Sequence, residues 1–192
     1  MISDVVPADV FKLAMRRLAA GVTIITTCHN GERGGLTATA VCSLSADPPQ
    51  LLVCVNRSTH AHDVIKRGAN LCVNLLARRH KALAACFAGQ KKGVMGEDRF
   101  RAGRWTTLKT SAPVLDDALA SFDCVVRETV ESATHTIFIG QVVDVRLRAE
   151  GHPLLYAGGA YAGLQVITDR RKRAAVTAVV RRPSKRRREK RA

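Results

Sequence analysis

The alternation of apolar and polar positions along the chain predicts many short strands and few helices. Runs that are rich in β-branched residues, or that alternate in polarity, are typical of strands. They cover residues 22–27, 36–44, 50–55, 71–75, 119–128, 135–147 and 154–161. Turn signals lie between the first three of these runs. Asn30-Gly31 favours a hairpin turn, and Asp47-Pro48-Pro49 ends the second strand.

Three segments have the spacing of helices. Residues 8–20 fit an amphipathic helix that Gly21 ends. Its apolar face would carry Phe11, Ala14, Met15 and Leu18. Two shorter helices are expected over residues 58–66 and 81–87, with Gly68 and Gly89 at their ends.

Many short strands with few helices favour a mainly β fold, a barrel built on mostly antiparallel pairing. Residues 90–111 are basic and contain several glycines, so they are expected to form a surface excursion. A chain of 192 residues is long enough for one well-buried domain. It contains no apolar run of the roughly 20 residues that span a bilayer, and its first residues do not resemble a signal peptide. These features predict a cytoplasmic protein.

The formal charge of +15 is unevenly distributed along the chain. Residues 170–192 hold 12 of the 31 Lys and Arg residues and one of the 16 Asp and Glu residues. The chain is therefore divided into a domain over residues 1–164 and a basic tail over residues 165–192, which is expected to be disordered. The tail fits a solvated extension, a salt-sensitive polyanion or nucleic-acid binder, or a docking segment for an acidic partner. The sequence leaves these alternatives open.

Cysteine and histidine spacing argues against a metal site. The six cysteines form no Cys-x-x-Cys pair and are expected to stay reduced, and those at positions 42, 54, 72 and 124 are expected to be small buried apolar residues. His60 and His62 are two residues apart, so a helix would direct their rings away from each other. The chain also has no Gly-x-Gly-x-x-Gly after a strand, which argues against a Rossmann domain.

Residues 35–58 carry the strongest chemical signal. Small and hydroxyl-bearing side chains precede an apolar strand, which a polar Asn56-Arg57-Ser58 turn follows. Small side chains let a flat ligand lie against the backbone. Hydroxyl and N–H groups can then bond the rim of that ligand and its phosphate.

This stretch resembles the flavin reductase family, whose fold is the FMN-binding split β-barrel. It is most similar to reductase components of two-component flavin-dependent monooxygenases, of the 4-hydroxyphenylacetate 3-monooxygenase reductase and pyrimidine-utilisation flavin reductase types. The resemblance extends in family order over about residues 8–164. It also includes Leu71-Cys72-Val73-Asn74-Leu75-Leu76, Phe87-Ala88-Gly89, Asp98-Arg99-Phe100, Ala120-Ser121-Phe122-Asp123-Cys124, Thr134-His135-Thr136-Ile137-Phe138-Ile139-Gly140 and Leu154-Leu155-Tyr156.

The resemblance implies an enzyme that reduces FMN or FAD with NADH or NADPH and supplies reduced flavin to a partner monooxygenase. The cofactors carry such hydride chemistry, and the protein orients them. The resemblance also implies a homodimer. Two alternatives remain open, a split-barrel protein that keeps its flavin tightly bound and a polyanion-binding protein acting through its tail. The sequence does not choose between the flavins or between the nicotinamides.

The resemblance further implies site residues. Those expected to hold the flavin ring and phosphate are Thr37, Ala38, Thr39, Ser43, Asn56, Arg57, Ser58 and Thr59. His60 borders the phosphate loop, and Phe87 belongs with the cofactor-binding residues. His135 is the expected nicotinamide contact and catalytic residue, although Ala133 stands where related reductases carry glycine. Tyr161 either closes over the dinucleotide or packs in the core.

Overall fold

The computed structural model describes residues 5–165. Its helices are α1 (Ala8–Met15), α2 (His60–Gly68) and α3 (Lys81–Phe87), and short 3-10 turns cover Arg78–His80 and Gly96–Arg101. Its strands are β1 (Ala20–Gly21), β2 (Thr23–His29), β3 (Glu32–Ala38), β4 (Val41–Ala46), β5 (Pro49–Asn56), β6 (Asn70–Leu75), β7 (Trp105–Thr106), β8 (Val114–Leu115), β9 (Ala120–Ser132), β10 (His135–Leu147), β11 (Leu154–Ala157) and β12 (Ala160–Gly163).

Seven strands form the main sheet, in the order β3-β2-β6-β9-β10-β5-β4. Every pairing in this sheet is antiparallel. The two outer strands, β3 and β4, follow each other in the chain and are separated only by Thr39 and Ala40, yet they do not pair. Both strands pack against one core cluster, so the sheet curls around it without closing. The expected mainly β fold with few helices and mostly antiparallel pairing is confirmed, but the sheet does not close into a barrel, because β3 and β4 do not pair.

Two predicted strands are in fact pairs of strands. The run over residues 36–44 is divided at Thr39-Ala40, and its two parts lie at opposite edges of the main sheet. The run over residues 154–161 is divided by Gly158 and Gly159, whose φ angles of 62° and 83° turn the chain between β11 and β12. The Asn30-Gly31 turn is confirmed, with φ angles of 49° and 83° that join β2 to β3.

Helix α1 is shorter than predicted and does not contribute its apolar face to the core. It ends at Met15, and none of its residues is buried. The chain must then extend because Ala20 and Gly21 pair with β11. Exposed apolar side chains of this region include Val10, Phe11, Leu13, Met15 and Leu18.

The predicted end of α2 is also corrected. Gly68 is the last residue of that helix, and Ala69 follows it with a left-handed φ of 49°.

Residues 90–111 are more than a surface excursion. Phe100 is 4% exposed and Trp105 packs beside it against the core that includes Phe87. The Phe87 and Phe100 rings meet edge to face at a centroid distance of 5.1 Å. The segment is therefore anchored by aromatic side chains, which fixes the wall that it forms beside β3.

The six cysteines are free thiols. Cys72 and Cys124 are buried as expected, and burial raises the pKa of Cys124 to about 12. Cys42 is exposed and Cys54 is only half-buried, so the expectation of burial was wrong for Cys42. The reason is that β4 is an outer strand, so neighbouring strands cover its side chains on one side only.

Within residues 5–165, no helix is long and apolar enough to cross a membrane. The predicted basic tail over residues 165–192 lies outside the described residues, apart from its first residue.

Candidate functional site

A groove of about 920 Å³ runs beside the outer strand β3. Its walls come from β3, from the turn between β5 and α2, from the end of α3 and from the 3-10 turn at Gly96–Arg101. The lining residues are Gly35, Leu36, Thr37, Ala38, Thr39, Ala40, Cys54, Asn56, Ser58, Thr59, His60, Ala61, Phe87, Ala88, Met95, Gly96, Arg99 and His135. The groove therefore gathers most of the predicted site residues around one volume of cofactor size.

Two adjacent glycines allow helices to approach both faces of β3. A Cβ on Gly34 would lie 3.0 Å from the Cα atom of Ala61 in α2. A Cβ on Gly35 would lie 2.6 Å from the Phe87 ring at the end of α3. Successive strand residues point to opposite faces, so each glycine admits a different helix. This close approach brings the start of α2 and the end of α3 to one strand.

One part of the groove, the small-residue end, is formed by Thr37–Ala40 and Ala88. The Thr37 hydroxyl donates to the Ala84 carbonyl in α3, 2.7 Å away. The Thr23 hydroxyl donates to the Ala38 carbonyl, also at 2.7 Å. These bonds fix the strand against its neighbours and leave short side chains facing the groove. A flat ring system can contact such a surface closely.

The more polar part of the lining, called the polar end, consists of Asn56, Ser58–Ala61, Arg99 and His135. Asn56 organises its turn, because its Oδ1 atom accepts from the Ser58 N–H and the Ser58 hydroxyl, each at 2.9 Å. The Thr59 hydroxyl donates to the Asn56 carbonyl at 2.8 Å. Helix α2 then begins without a side-chain cap. Since the first N–H groups of a helix lack partners within it, this end offers donors to an anion.

His60 lies at the rim of the polar end and contacts a carboxylate. Its Nε2 atom is 2.7 Å from Oε1 of Glu32, and the Arg67 guanidinium donates to Oε2 of the same residue at 2.7 Å. The hydrogen bonds from Arg67 and His60 lower the pKa of Glu32, which is therefore a carboxylate near neutral pH. The side chains of His60 and Glu32 are half-exposed.

His135 opens strand β10 opposite Asn56, its partner in the sheet register. Its Nδ1 atom is 2.8 Å from the Thr134 hydroxyl. The preceding Ala133 adopts a left-handed φ of 46°, the conformation that glycine takes most easily. The alanine therefore retains the turn geometry, and His135 reaches the groove.

Arg99 is a groove residue to which the sequence analysis gave no role. Its Nη1 atom donates to the carbonyls of Gly35 and Phe87, at 3.3 Å and 3.4 Å, while its buried Nε atom has no partner among the described residues. Among residues 5–165, no carboxylate lies within ion-pair distance of Arg99, whereas the nearby Arg33 and Arg101 each have one. A partly buried cation without a counter-charge is costly unless an anion joins it.

Arg57 and Ser43 were predicted to contact the flavin, but neither lines the groove. The Arg57 guanidinium is 3.7 Å from Glu131 and is directed along the β9–β10 hairpin. Ser43 lies on β4 beside a different hollow of about 260 Å³. Residue type and order along the chain could not distinguish these directions, because Arg57 lies between the groove residues Asn56 and Ser58, and Ser43 follows the groove residue Ala40 by three positions.

Tyr161 was also predicted to border the cofactors, and it lies beside the groove rather than in it. It lines an adjoining hollow of about 200 Å³, which shares Thr37–Thr39 and Ala88 with the groove. Its ring meets that of Tyr156 edge to face at 5.5 Å and packs against the core. Burial raises the pKa of Tyr161, so the phenol is neutral near physiological pH.

His60 and His62, which are two residues apart, contact different partners. His62 is buried, and its Nε2 atom is 2.9 Å from the Thr136 hydroxyl, whereas His60 contacts Glu32 at the surface. Within the described residues, no three His, Cys, Asp or Glu side chains are grouped so that they could hold a metal ion.

Known proteins with this sequence pattern settle the family. A model described as flavin reductase like domain matches residues 15–165. The chain belongs to this family. The predicted flavin reductase resemblance and the oxidoreductase class are thereby confirmed.

Individual relatives of this flavin reductase agree with that assignment. The FMN reductase (NADH) RutF of Agrobacterium fabrum is 46% identical over 151 residues, which cover 79% of this chain and 85% of the relative. The solved structure of the flavin reductase PheA2 is 34% identical and covers 83% of this chain and 99% of its own, with a TM-score of 0.76. The styrene monooxygenase flavin reductase of Pseudomonas putida S12 is 28% identical and covers 82% and 99%, with a TM-score of 0.71.

Proposed function

We propose that this protein reduces FMN with NADH and releases the reduced flavin to a monooxygenase. One observation carries the proposal, a single groove that joins a small-residue end to a polar end whose arginine, Arg99, has no carboxylate partner among residues 5–165. A flavin mononucleotide has the matching form, because a flat ring is linked to a terminal phosphate. The FMN reductase (NADH) of Agrobacterium fabrum supports the choice of FMN and NADH.

The groove fits the two parts of FMN in different ways. The ring lies against Thr37, Ala38 and Thr39, with Phe87 as an apolar wall. The phosphate accepts hydrogen bonds from Arg99 and from the first N–H groups of α2. The Ser58 and Thr59 hydroxyls, which donate to Asn56 in the free protein, rotate to donate to the phosphate instead.

The nicotinamide is oriented by His135 at the mouth of the groove, with Tyr161 closing the adjoining hollow. When both are bound, the nicotinamide supplies a hydride to the flavin, and the chain's role is to align and bind them. The protein needs no nucleophile for this chemistry. Arg57 and Ser43 have no direct contact with the flavin in this proposal.

A diffusible flavin is favoured over a permanently held one. Ser58, His60 and Met95 line the groove and are exposed, so a bound flavin has an open path to solvent. The flavin reductase of Pseudomonas putida is named for the styrene monooxygenase to which it belongs, and this name supports a monooxygenase as the partner of this protein.

The homodimer belongs to the same proposal. Exposed apolar residues of α1, together with Leu44, Val145 and Leu147 on β4 and β10, form surfaces that a second copy can cover. Sedimentation of the full chain at a mass near twice 20.8 kDa is the expected result. The cytoplasmic location stays a prediction.

Anaerobic oxidation of NADH, followed by nicotinamide absorbance, tests the proposed function. The purified full chain is assayed without flavin and with added FMN, FAD or riboflavin. We expect turnover that depends on added FMN, followed by reoxidation of the flavin when air is admitted. Flavin that stays bound through gel filtration and supports turnover without addition would instead indicate a prosthetic group. Tight FMN binding with no NADH or NADPH oxidation would refute the reductase activity.

A further inference from the structure

The face of β3 that points away from α2 holds several parts of the groove wall in place. Successive residues of a strand alternate between its faces, so Arg33, Gly35 and Thr37 share this face. The Thr37 hydroxyl bonds to α3, and Gly35 lies against the Phe87 ring. Arg33 contacts the 3-10 turn at Gly96–Arg101. This face therefore joins β3 to α3 near one end of the strand and to the 3-10 turn near the other.

Arg33 contacts the 3-10 turn at two residues. Its Nε atom donates to Oε1 of Glu97 at 2.6 Å, and its Nη2 atom contacts the same oxygen. Its guanidinium carbon lies 4.6 Å from the centroid of the Phe100 ring, within the range of a cation–π contact. These contacts of Arg33 with Glu97 and Phe100 form a clasp between β3 and the 3-10 turn.

Arg99 lies between the two residues that the clasp holds, and it lines the groove. Its bonds to the Gly35 and Phe87 carbonyls are 3.3 Å and 3.4 Å long. A typical N–H···O bond is shorter, at about 2.9 Å between the heavy atoms. Because these long bonds hold the side chain weakly, the position of the guanidinium depends on the position of the 3-10 turn.

Other contacts give the 3-10 turn limited support. Every residue of the segment 88–98 except Val94 is exposed, so the chain that leads from α3 into the turn packs against little. The ion pair of Asp98 with Arg101 is internal to the turn. Among ion pairs within residues 5–165, only that of the clasp connects the turn to another element.

We propose that Arg33 is a positioning residue of the groove, which acts through Glu97 and Phe100 to hold Arg99 where a bound flavin meets it. The proposal rests on the proposed function, because it takes the ligand of the groove to be a flavin. It adds that a residue outside the groove lining sets the affinity for that flavin. Without the clasp, the 3-10 turn is in place for only a fraction of the time, and the apparent dissociation constant rises by the inverse of that fraction.

Glu97→Gln tests the proposal by the sign of its effect. If charge alone mattered, removal of a carboxylate near an anionic flavin would strengthen binding. Loss of the clasp predicts the opposite result, which is weaker binding. Since Gln is nearly the same size as Glu, the substitution removes the charge and retains the shape of the side chain.

The dissociation constant of FMN is measured by flavin fluorescence quenching, with the full chain and without NADH. We expect FMN to bind about threefold more weakly to Glu97→Gln and about threefold to tenfold more weakly to Arg33→Met, the range for a half-exposed ion pair and a cation–π contact. Arg33→Lys retains the charge and should recover part of the affinity. The matched control is Asp98→Asn, which removes a carboxylate from the same turn without a contact to β3. This control should not weaken FMN binding.

Kinetics and a double variant distinguish a positioning role from a general structural one. The KM for FMN should rise in Glu97→Gln, whereas kcat at saturating FMN and NADH should stay within about twofold of the wild type. In the Arg99→Met background, Glu97→Gln should change the FMN affinity by less than about twofold, because the clasp acts through Arg99.

Three results would each overturn the positioning role. They are unchanged or tighter FMN binding in Glu97→Gln, equal weakening by Asp98→Asn, and effects of Glu97→Gln and Arg99→Met that add. Failure of the proposed function has a different signature, which is a wild-type chain that binds FMN but oxidises no NADH. The binding comparisons do not depend on turnover, so they still test the role of Arg33 in that case.

Discussion

The small-residue end and the polar end of the groove are built in different ways. At the first, backbone and short side chains form the surface, and hydroxyls such as that of Thr37 bond inward to the protein. At the second, the Nε atom of Arg99 has no partner among residues 5–165, and α2 begins without a side-chain cap. The first end can select by shape and the second by charge. Changes at the two ends should therefore be separable by comparing FMN with riboflavin, which lacks the phosphate.

The largest expected effect is that of Arg99→Met. Loss of a charge-assisted bond costs about 1.5–3 kcal/mol, so FMN should bind roughly 10-fold to 100-fold more weakly. Riboflavin affinity should change by less than about threefold. Isothermal titration with both flavins measures the difference. Arg101→Met is the control, because Arg101 pairs with Asp98 outside the groove, and Arg99→Lys should retain part of the FMN affinity. An equal loss for riboflavin would move Arg99 out of the phosphate contact.

His135→Ala tests whether the polar end also serves the nicotinamide. We expect the KM for NADH to rise about tenfold, which corresponds to about 1.4 kcal/mol, while the FMN dissociation constant stays within about twofold. Steady-state kinetics at saturating FMN give the first value, and fluorescence quenching gives the second. His152→Ala, exposed near the end of the domain, is the control. A parallel loss of FMN affinity would assign His135 to the flavin instead.

Thr37→Val alters the small-residue end with little change in volume. The variant loses the bond to the Ala84 carbonyl, and a bond of this kind contributes about 1 kcal/mol. The free energy of unfolding should therefore fall by about that amount, and the affinities for FMN and riboflavin should weaken by the same factor as each other, because the strand that contacts the ring is less well fixed. Thr37→Ser retains the hydroxyl and should restore both affinities. If only FMN were affected, the division of the groove into two ends would be wrong.

Ser58→Ala should give the smallest effect. The Ser58 hydroxyl already donates to Asn56, so its contact with a phosphate competes with that bond. FMN should bind about threefold more weakly, which corresponds to the lower part of the free-energy range of a neutral hydrogen bond. The affinity for riboflavin should be unchanged. Isothermal titration with FMN and with riboflavin measures both affinities. An effect as large as that of Arg99→Met would show that hydroxyls rather than the guanidinium dominate the polar end.

The sequence predicted those parts of the fold that have strong local signals. Strand β10 begins and ends where its alternation predicts, at His135 and Leu147, and the Asn30-Gly31 turn joins β2 to β3. It did not predict the division at Thr39-Ala40, because neither residue is a turn former and the run stays apolar and small. That division depends on the whole sheet, since it separates the two outer strands.

Burial was predicted less well than element type. The apolar spacing of α1 is the same in a helix that joins the core and in one that is exposed, so the pattern could not distinguish them. The predicted site residues at Asn56–His60 form a contiguous motif, and all of them except Arg57 line the groove. Arg99 belongs to Asp98-Arg99-Phe100, one of the motifs that carry the family resemblance, but nothing in the spacing of this motif indicated a guanidinium whose Nε atom has no partner within residues 5–165. Only the contacts of Arg99 in three dimensions revealed it.

The adjacent glycines of β3 have a consequence for how this family can evolve. Gly34 admits α2 on one face and Gly35 admits the Phe87 ring on the other. Inserting or deleting one residue between Glu32 and Thr37 would exchange the two faces for every residue on one side of the change. The glycines, the Glu32 carboxylate and the hydroxyls of the small-residue end could not then all keep their partners. Substitutions along β3 are therefore limited at Gly34, Gly35 and Thr37 by these contacts, and the spacing between the hairpin and the hydroxyls must also be kept.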